Sequence, residues 1–233
     1  TDKQEIVEEI LSGHGAAVNS PMMPGIIDLP DSVAKYEFNT ELANKTLEDA
    51  GWRYPVSGSA DVKVREKAPP APKNKKDKPG EPLKLEIRIT TSDWPELMAV
   101  AEQIKKQWEA VGVQVLVETL PLPELQQAIK DREYDALLFG EVLALHPDPF
   151  RFWHSSQKRD PGLNLALYDD KDADKLLEDA RQTLDNSARL SKYDDFQKII
   201  VRDIPAIFLY SPDYLYAQPA KIKNNDTNIV SIP

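Results

Sequence analysis

Apolar residues first recur along the chain at helical spacing. Ile6, Val7, Ile10 and Leu11 share one face of a helix that opens within the first residues, with Gly13 as its C-terminal stop. Residues 14–37, with Gly15, Pro21, Pro24, Gly25 and Pro30, have no period and read as irregular. A second helix opens at Asn39; Leu42, Ala43, Thr46, Leu47 and Ala50 form its expected buried face, and Gly51 ends it. Asp61–Arg65 and Leu83–Ile89 alternate apolar with charged residues, as half-buried strands do, and predict a hairpin.

A β-α-β-α-β rhythm follows. The strand Leu85–Thr90 leads through Ser92-Asp93-Trp94-Pro95 into a helix whose apolar face is Leu97, Val100, Ala101, Ile104, Trp108 and Val111. Gly112 stops that helix, Val113–Glu118 reads as a strand, and Leu122–Asp131 as a short helix. Tyr134–Gly140 is nearly all apolar, which predicts a strand covered on both faces. Residues 141–167 have no clean period; helices over 171–184 and 188–203 and a strand over 204–210 complete the pattern. The expected fold class is α/β, a mostly parallel sheet flanked by helices. Four segments are expected: entry helices and proline loop over 1–54, an insertion over 55–82, an α/β ligand-binding lobe over 83–210, and a return segment over 211–233.

Composition narrows the chemistry. The 233 residues carry 29 basic and 39 acidic side chains, a net charge of -10 that disfavours binding to nucleic acid phosphates. There is no cysteine, so disulfides, thiol nucleophiles and zinc-thiolate sites are excluded. The three histidines, His14, His146 and His154, form no HxxxH pair, and no metal or other cofactor is expected. Pro69, Pro70, Pro72, Pro79 and Pro82 alternate with Lys73, Lys75, Lys76 and Lys78, a composition that cannot build a core. That tract reads either as a solvated insertion at a hairpin tip or as a polybasic patch for an anionic partner.

Several phrases, in order, resemble the C-terminal half of the family 5 extracellular solute-binding proteins, the oligopeptide, dipeptide and nickel receptors of ABC importers. They are Asp2–Val7 with Leu11–Gly15, Pro21–Pro24, Ala43–Trp52, Gln107–Val115, Tyr134–Gly140, Pro147–Pro149, Asn164–Tyr168 with Asp174–Arg181, and Asp203–Tyr210. The resemblance implies a type II periplasmic-binding-protein lobe that closes with an N-terminal lobe on a peptide or other small polar solute. It also implies a monomeric, non-enzymatic receptor, at the extracellular face of the cell membrane or in the periplasm. The implied partners are the ligand, the N-terminal lobe of the same protein, and an ABC permease. A signal or lipoprotein anchor would belong to the N-terminal part.

Ligands of open α/β sheets bind beyond the carboxyl ends of the strands, which places Glu141, Leu143, Leu145 and His146 at the cleft edge. In peptide-binding relatives a Trp and an Asp of this loop contact the ligand, and the Asp captures its α-amino group. The corresponding positions here are Val142 and Leu145, leaving Glu141 as the nearby carboxylate. Trp153, His154 and Asn164 complete the expected ligand-binding set. Trp153 reads equally as a core plug beside Phe150 and Phe152, Asn164 and Tyr168 as loop braces, Asp148 as a turn former. Trp94, at the strand-to-helix turn, stays open between the two roles. Two other functions remain: an interaction scaffold on the same fold, or a hydrolase using Glu141 and Asp148 as a carboxylate pair.

Overall fold

The structure, a computed structural model, describes residues 1–22, 25, 27–33, 35–55, 64–69, 80–142, 148–215, 217, 219 and 221. In chain order its elements are α1 (Lys3–Glu9), β1 (Gly15–Ala17), α2 (Thr40–Asp49), β2 (Glu66–Lys67), β3 (Leu83–Lys84), β4 (Glu86–Ser92) and α3 (Pro95–Glu109). Then come β5 (Gln114–Leu120), α4 (Leu122–Asp131), β6 (Ala136–Leu137), α5 (Phe150–Trp153), a 3-10 turn (Ser155–Gln157), α6 (Lys171–Gln182), α7 (Asn186–Asp203) and β7 (Tyr210–Pro212). They form two compact units. Thr1–Asp2 with Glu37–Phe139 is the first, and Lys3–Tyr36 with Gly140–Pro233 is the second.

The first unit is built on a three-stranded parallel sheet in the order β5-β4-β6. Glu86 to Ser92 pair in step with Gln114 to Leu120, and Ile89–Thr90 pair with Ala136–Leu137 on the other side. Right-handed crossovers to opposite sides of β4 put α3 and α4 on opposite faces of the sheet. Ile89, Val100, Ala101, Ile104, Val113, Val115, Leu125 and Leu138 are buried there. Burying one such aliphatic side chain contributes roughly 1.5–3 kcal/mol. The first two residues dock on the end of α3: the Asp2 N–H donates to Gln107 Oε1 at 2.7 Å and Trp108 Nε1 to Thr1 Oγ1 at 2.9 Å.

The amino end of this sheet is fixed by a buried cation. Arg65 is 1% exposed. Its Nε donates to Val111 O (2.8 Å), and its two terminal nitrogens donate to Trp52 O (2.9 Å) and Asn44 Oδ1 (2.7 Å). Glu48 lies 3.6 Å away and the Tyr54 ring caps the guanidinium at 4.2 Å. Charge burial is tolerated because hydrogen bonds, a carboxylate and a ring replace water. Gly112 makes the packing possible. Its φ of +88° favours glycine, and an added Cβ would stand 2.7 Å from Arg65 Cγ and 2.8 Å from Tyr54 Cε1.

In the second unit α6 and α7 pack as a helical pair. Side-chain caps at Asp170 and Asp185 accept first-turn N–H groups of Ala173 and Ala188, each at 2.8 Å. Trp153, Ala173, Leu177, Phe196 and Ile200 form one buried cluster, and Met22, Ile27, Ala180 and Tyr193 another. A two-stranded antiparallel ribbon pairs β1 with β7.

Four expectations are corrected. The second helix forms, but none of its residues is buried and Leu42 is 58% exposed. It is held through Asn44 and Glu48 to Arg65 instead of through its apolar stripe. The hairpin forms between β2 and β3, whose first strand is Glu66–Lys67, with Val64 and Arg65 outside it; residues 61–63 and the Pro/Lys tract 70–79 lie outside the described residues. The expected strand 134–140 shrinks to β6. Asp135 Oδ2 takes the Arg88 N–H (3.2 Å) in place of a ladder carbonyl, and Phe139 is already 46% exposed. The strand expected over 204–210 begins only at Tyr210. Ile204 adopts φ +51° as the cap of α7, and Ala206 and Phe208 pack on the Trp153 cluster without joining a ladder.

Candidate functional site

Strand order defines one privileged place in the first unit. From β4 the chain steps to β5 on one side, then crosses back to β6 on the other. The strand order reverses at β4, and in open α/β sheets such a switch point, at the carboxyl ends of the strands, is where ligands bind. Ser92 ends β4, and Asp93 and Trp94 follow it; Leu138 and Phe139 follow β6; Leu120 ends β5, and Pro121 and Leu122 follow it.

Hydrogen bonds hold this rim. Thr91 Oγ1 donates to Leu138 O (3.0 Å) and the Leu138 N–H to Thr90 O (3.0 Å), which anchors the β6 exit to β4. The Asp93 N–H donates to Leu120 O (3.1 Å), and the Trp94 N–H to Ser92 Oγ (3.3 Å). Trp94 is the N-cap of α3, with Pro95 in the first turn, so the indole is carried on a backbone fixed by strand and helix together. The backbone is fixed while the side chains stay open. Trp94 is 64% exposed, Leu122 57% and Phe139 46%. Other large apolar side chains of the chain are exposed as well; these three are set apart by following the carboxyl ends of strands of one sheet.

Glu141 stands two residues beyond Phe139 in the chain. Desolvation pushes its carboxyl up to about 7, although its surface remains open. Leu143, Leu145 and His146 lie outside the described residues. Trp153, His154 and Asn164 are brought together in the second unit, around α5. The Trp153 indole is 7% exposed and meets Phe208 at 5.7 Å and Tyr168 at 6.4 Å between ring centroids. Asn164 is fully buried. Its Nδ2 donates to Trp153 O (3.1 Å), His154 O (3.1 Å) and Tyr168 O (2.9 Å), and its Oδ1 accepts the Tyr168 N–H (3.0 Å). Its hydrogen-bonding capacity is thus spent inside the fold.

His154 stacks on Phe150 at 4.1 Å. Its Nδ1 accepts the Ser156 N–H (3.1 Å), so Nε2 faces Glu178 Oε1 (3.3 Å). Asp148 bonds Arg181 (2.5 Å) and accepts the Phe150 N–H (3.2 Å), a brace between the turn and α6. The Tyr168 hydroxyl donates to Asp203 Oδ2 at 2.7 Å; burial and that bond raise the phenol's pKa, while Arg202 and Tyr168 hold the Asp203 carboxyl low. Among the described residues no group of three or more His, Asp or Glu side chains is placed to hold a metal ion.

The sequence reading left Trp94 undecided and passed over Phe139 and Leu122. Strand order identifies them: a rim residue is recognised by where its strand ends in the sheet.

Such a sheet, flanked by helices and open at its switch point, is that of a type II periplasmic binding protein, a ligand-binding α/β class. The chain belongs to the bacterial extracellular solute-binding proteins of family 5, whose middle region matches residues 1–164. It is 27% identical over 227 residues to the oligopeptide-binding protein AppA of Bacillus subtilis, covering 95% of this chain and 38% of that protein. The crystal structure of AppA with a nonapeptide superposes with a TM-score of 0.78 at 25% identity, over 91% of this chain and 40% of that one. NikZ of Campylobacter jejuni, solved with Ni(L-His), superposes at 0.75 and 25% identity, over the same 91% and 40%. The chain thus spans well under half the length of these relatives.

Proposed function

We propose that this chain is the C-terminal lobe of the substrate-binding receptor of an ABC importer. Its cargo is an oligopeptide or another small polar solute. The ligand docks at the carboxyl edge of the β5-β4-β6 sheet and is enclosed when a second lobe closes over it. The single observation that carries this reading is the switch point in the strand order β5-β4-β6, with Trp94 and Phe139 exposed on hydrogen-bonded strand exits. No chemistry is required of it: binding shifts an open–closed equilibrium by the ligand's differential affinity for the closed state. The α/β lobe over 83–210 does the binding, and 211–233 returns toward the N-terminal lobe.

Peptides are favoured because AppA, 27% identical, is an oligopeptide-binding protein, and a nickel-binding protein of Staphylococcus aureus is 24% identical over a shorter span. The receptor acts outside the cytoplasm, as a monomer delivering cargo to its permease. The test is thermal unfolding of the complete receptor with short peptides, sugars and nickel–histidine. A ligand at 100 times its dissociation constant stabilises by about 2.7 kcal/mol. Stabilisation by peptides is the expected outcome, and no stabilisation by any solute overturns the receptor reading.

A further inference from the structure

The second unit holds a buried histidine bonded at both ring nitrogens. We infer that His154 is a proton-operated catch: neutral, it caps the Ser155–Gln157 turn; charged, it releases the Ser156 N–H of that turn and pairs with α6. The imidazole is 7% exposed and lies nearly flat on Phe150. A backbone N–H can only donate, so Nδ1, 3.1 Å from the Ser156 nitrogen, carries the lone pair and Nε2 the neutral ring's one proton. Nε2 faces Glu178 Oε1 at 3.3 Å and Asp174 Oδ1 at 3.9 Å. A second proton has only Nδ1 to enter, and a protonated Nδ1 accepts nothing. Cap and charge therefore exclude each other.

The surroundings serve both states. The charged ring meets the two α6 carboxylates at Nε2 and, at Nδ1, Ser156 Oγ 2.8 Å away, which turns from donor to acceptor. The third ion on this face of α6, Arg181, lies over the far side of Phe150, 3.7 Å from its centroid, and is bonded to Asp148. Of the other nearby cations, Arg151 on α5 is exposed and Lys158, after the turn, pairs with Asp169. Asn164, uncharged, touches only the backbone oxygen of His154. Both neighbours of Ser156 are held: the Ser155 N–H donates to Asp174 Oδ1 (2.8 Å), and Gln157 O accepts the Asn164 N–H (3.1 Å). The change is thus confined to the Ser156 amide and the ring that caps it. Histidine is the side chain whose charge ordinarily changes between about pH 5 and 8.

The experiment is nitrogen NMR of the complete receptor, isotopically labelled in histidine and serine and titrated from about pH 8 to about pH 5. At the alkaline end a scalar coupling across the hydrogen bond should join the Ser156 amide nitrogen to His154 Nδ1. It should be lost as the ring gains its second proton, and the Ser156 amide signal should move with the same midpoint. His154→Asn supplies a side chain that caps turns and does not titrate, so its Ser156 signal should hold still across the range. A coupling missing at the alkaline end, a coupling that persists at the acid end, or a Ser156 signal that moves as far in His154→Asn overturns the inference. No cargo enters the measurement, so the receptor reading stands or falls separately.

Discussion

Trp153 and Trp94 are 7% and 64% exposed. Around Trp153 everything is consumed by the fold. Phe208, Tyr168, Leu177 and Phe196 cover the indole, and Asn164 spends all its hydrogen bonds on the backbone that carries it. Around Trp94 only the backbone is held, and the side chain is left to water. The two regions show that a tryptophan's role follows from what its neighbours have already satisfied. A side chain whose surroundings are complete stabilises; one presented on a fixed backbone with its surface unused is available to a ligand.

Four measurements would break or sharpen this contrast. The largest effect is expected from Trp153→Ala, which should destabilise the chain by about 3–5 kcal/mol through the cavity it leaves. Chemical denaturation reads it directly, and a loss below about 1 kcal/mol would dissolve the contrast from the buried side. Next comes Asn164→Ala, which takes the side-chain partner from Trp153 O, Tyr168 O and the Tyr168 N–H, His154 O keeping the Gln157 N–H, and should cost about 2–3 kcal/mol in the same assay. Trp94→Ala belongs at the other pole. Its effect on stability should stay within about 0.5 kcal/mol, since little of the indole is buried. A melt as damaged as that of Trp153→Ala would show that Trp94 is a structural residue.

The smallest effect concerns pH. Desolvation raises the Glu141 carboxyl to about 7 from 4.5, so its neutral form is favoured in the folded state. The associated stability is present below the unfolded value and is lost as pH rises through the folded one. The wild type should therefore lose ground to Glu141→Gln between about pH 4.5 and 7, by a small margin because the residue's surface is open. Denaturation curves of both proteins across that range provide the check, and parallel curves would return Glu141 to an ordinary exposed carboxylate.

Periodicity made most of the frame legible. The α3 and α4 spans and the parallel β4–β5 pairing follow from apolar spacing, cap residues and Gly112. It failed where position in the sheet overrides pattern. Tyr134–Gly140 is apolar enough for a central strand, yet among the described residues β6 has a partner on one side only and pairs for two residues. The apolar stripe of α2 predicted burial, but a sequence does not show whether anything packs over a face. The site was harder still. Trp94 and Phe139 lie 45 positions apart, and only the order β5-β4-β6 brings their loops to one mouth. Arg65, in an alternating strand-like run, looked like a solvated charge because its partners Trp52, Asn44 and Val111 come from three separate stretches.

The ribbon of β1 and β7 joins Gly15 to Pro212, about 200 residues further along the chain. Apart from Thr1 and Asp2, the first unit is one uninterrupted stretch set inside the second. As the polypeptide emerges from its N-terminus, residues 37–139 are all present while the second unit still lacks α5, α6, α7 and β7. The inner unit can therefore mature early, from contacts near in sequence. The outer one must wait for its last strand and bear the entropy of closing a very long loop. Refolding should be staged, and a chain interrupted before Tyr210 should hold a finished parallel sheet beside an unclosed partner.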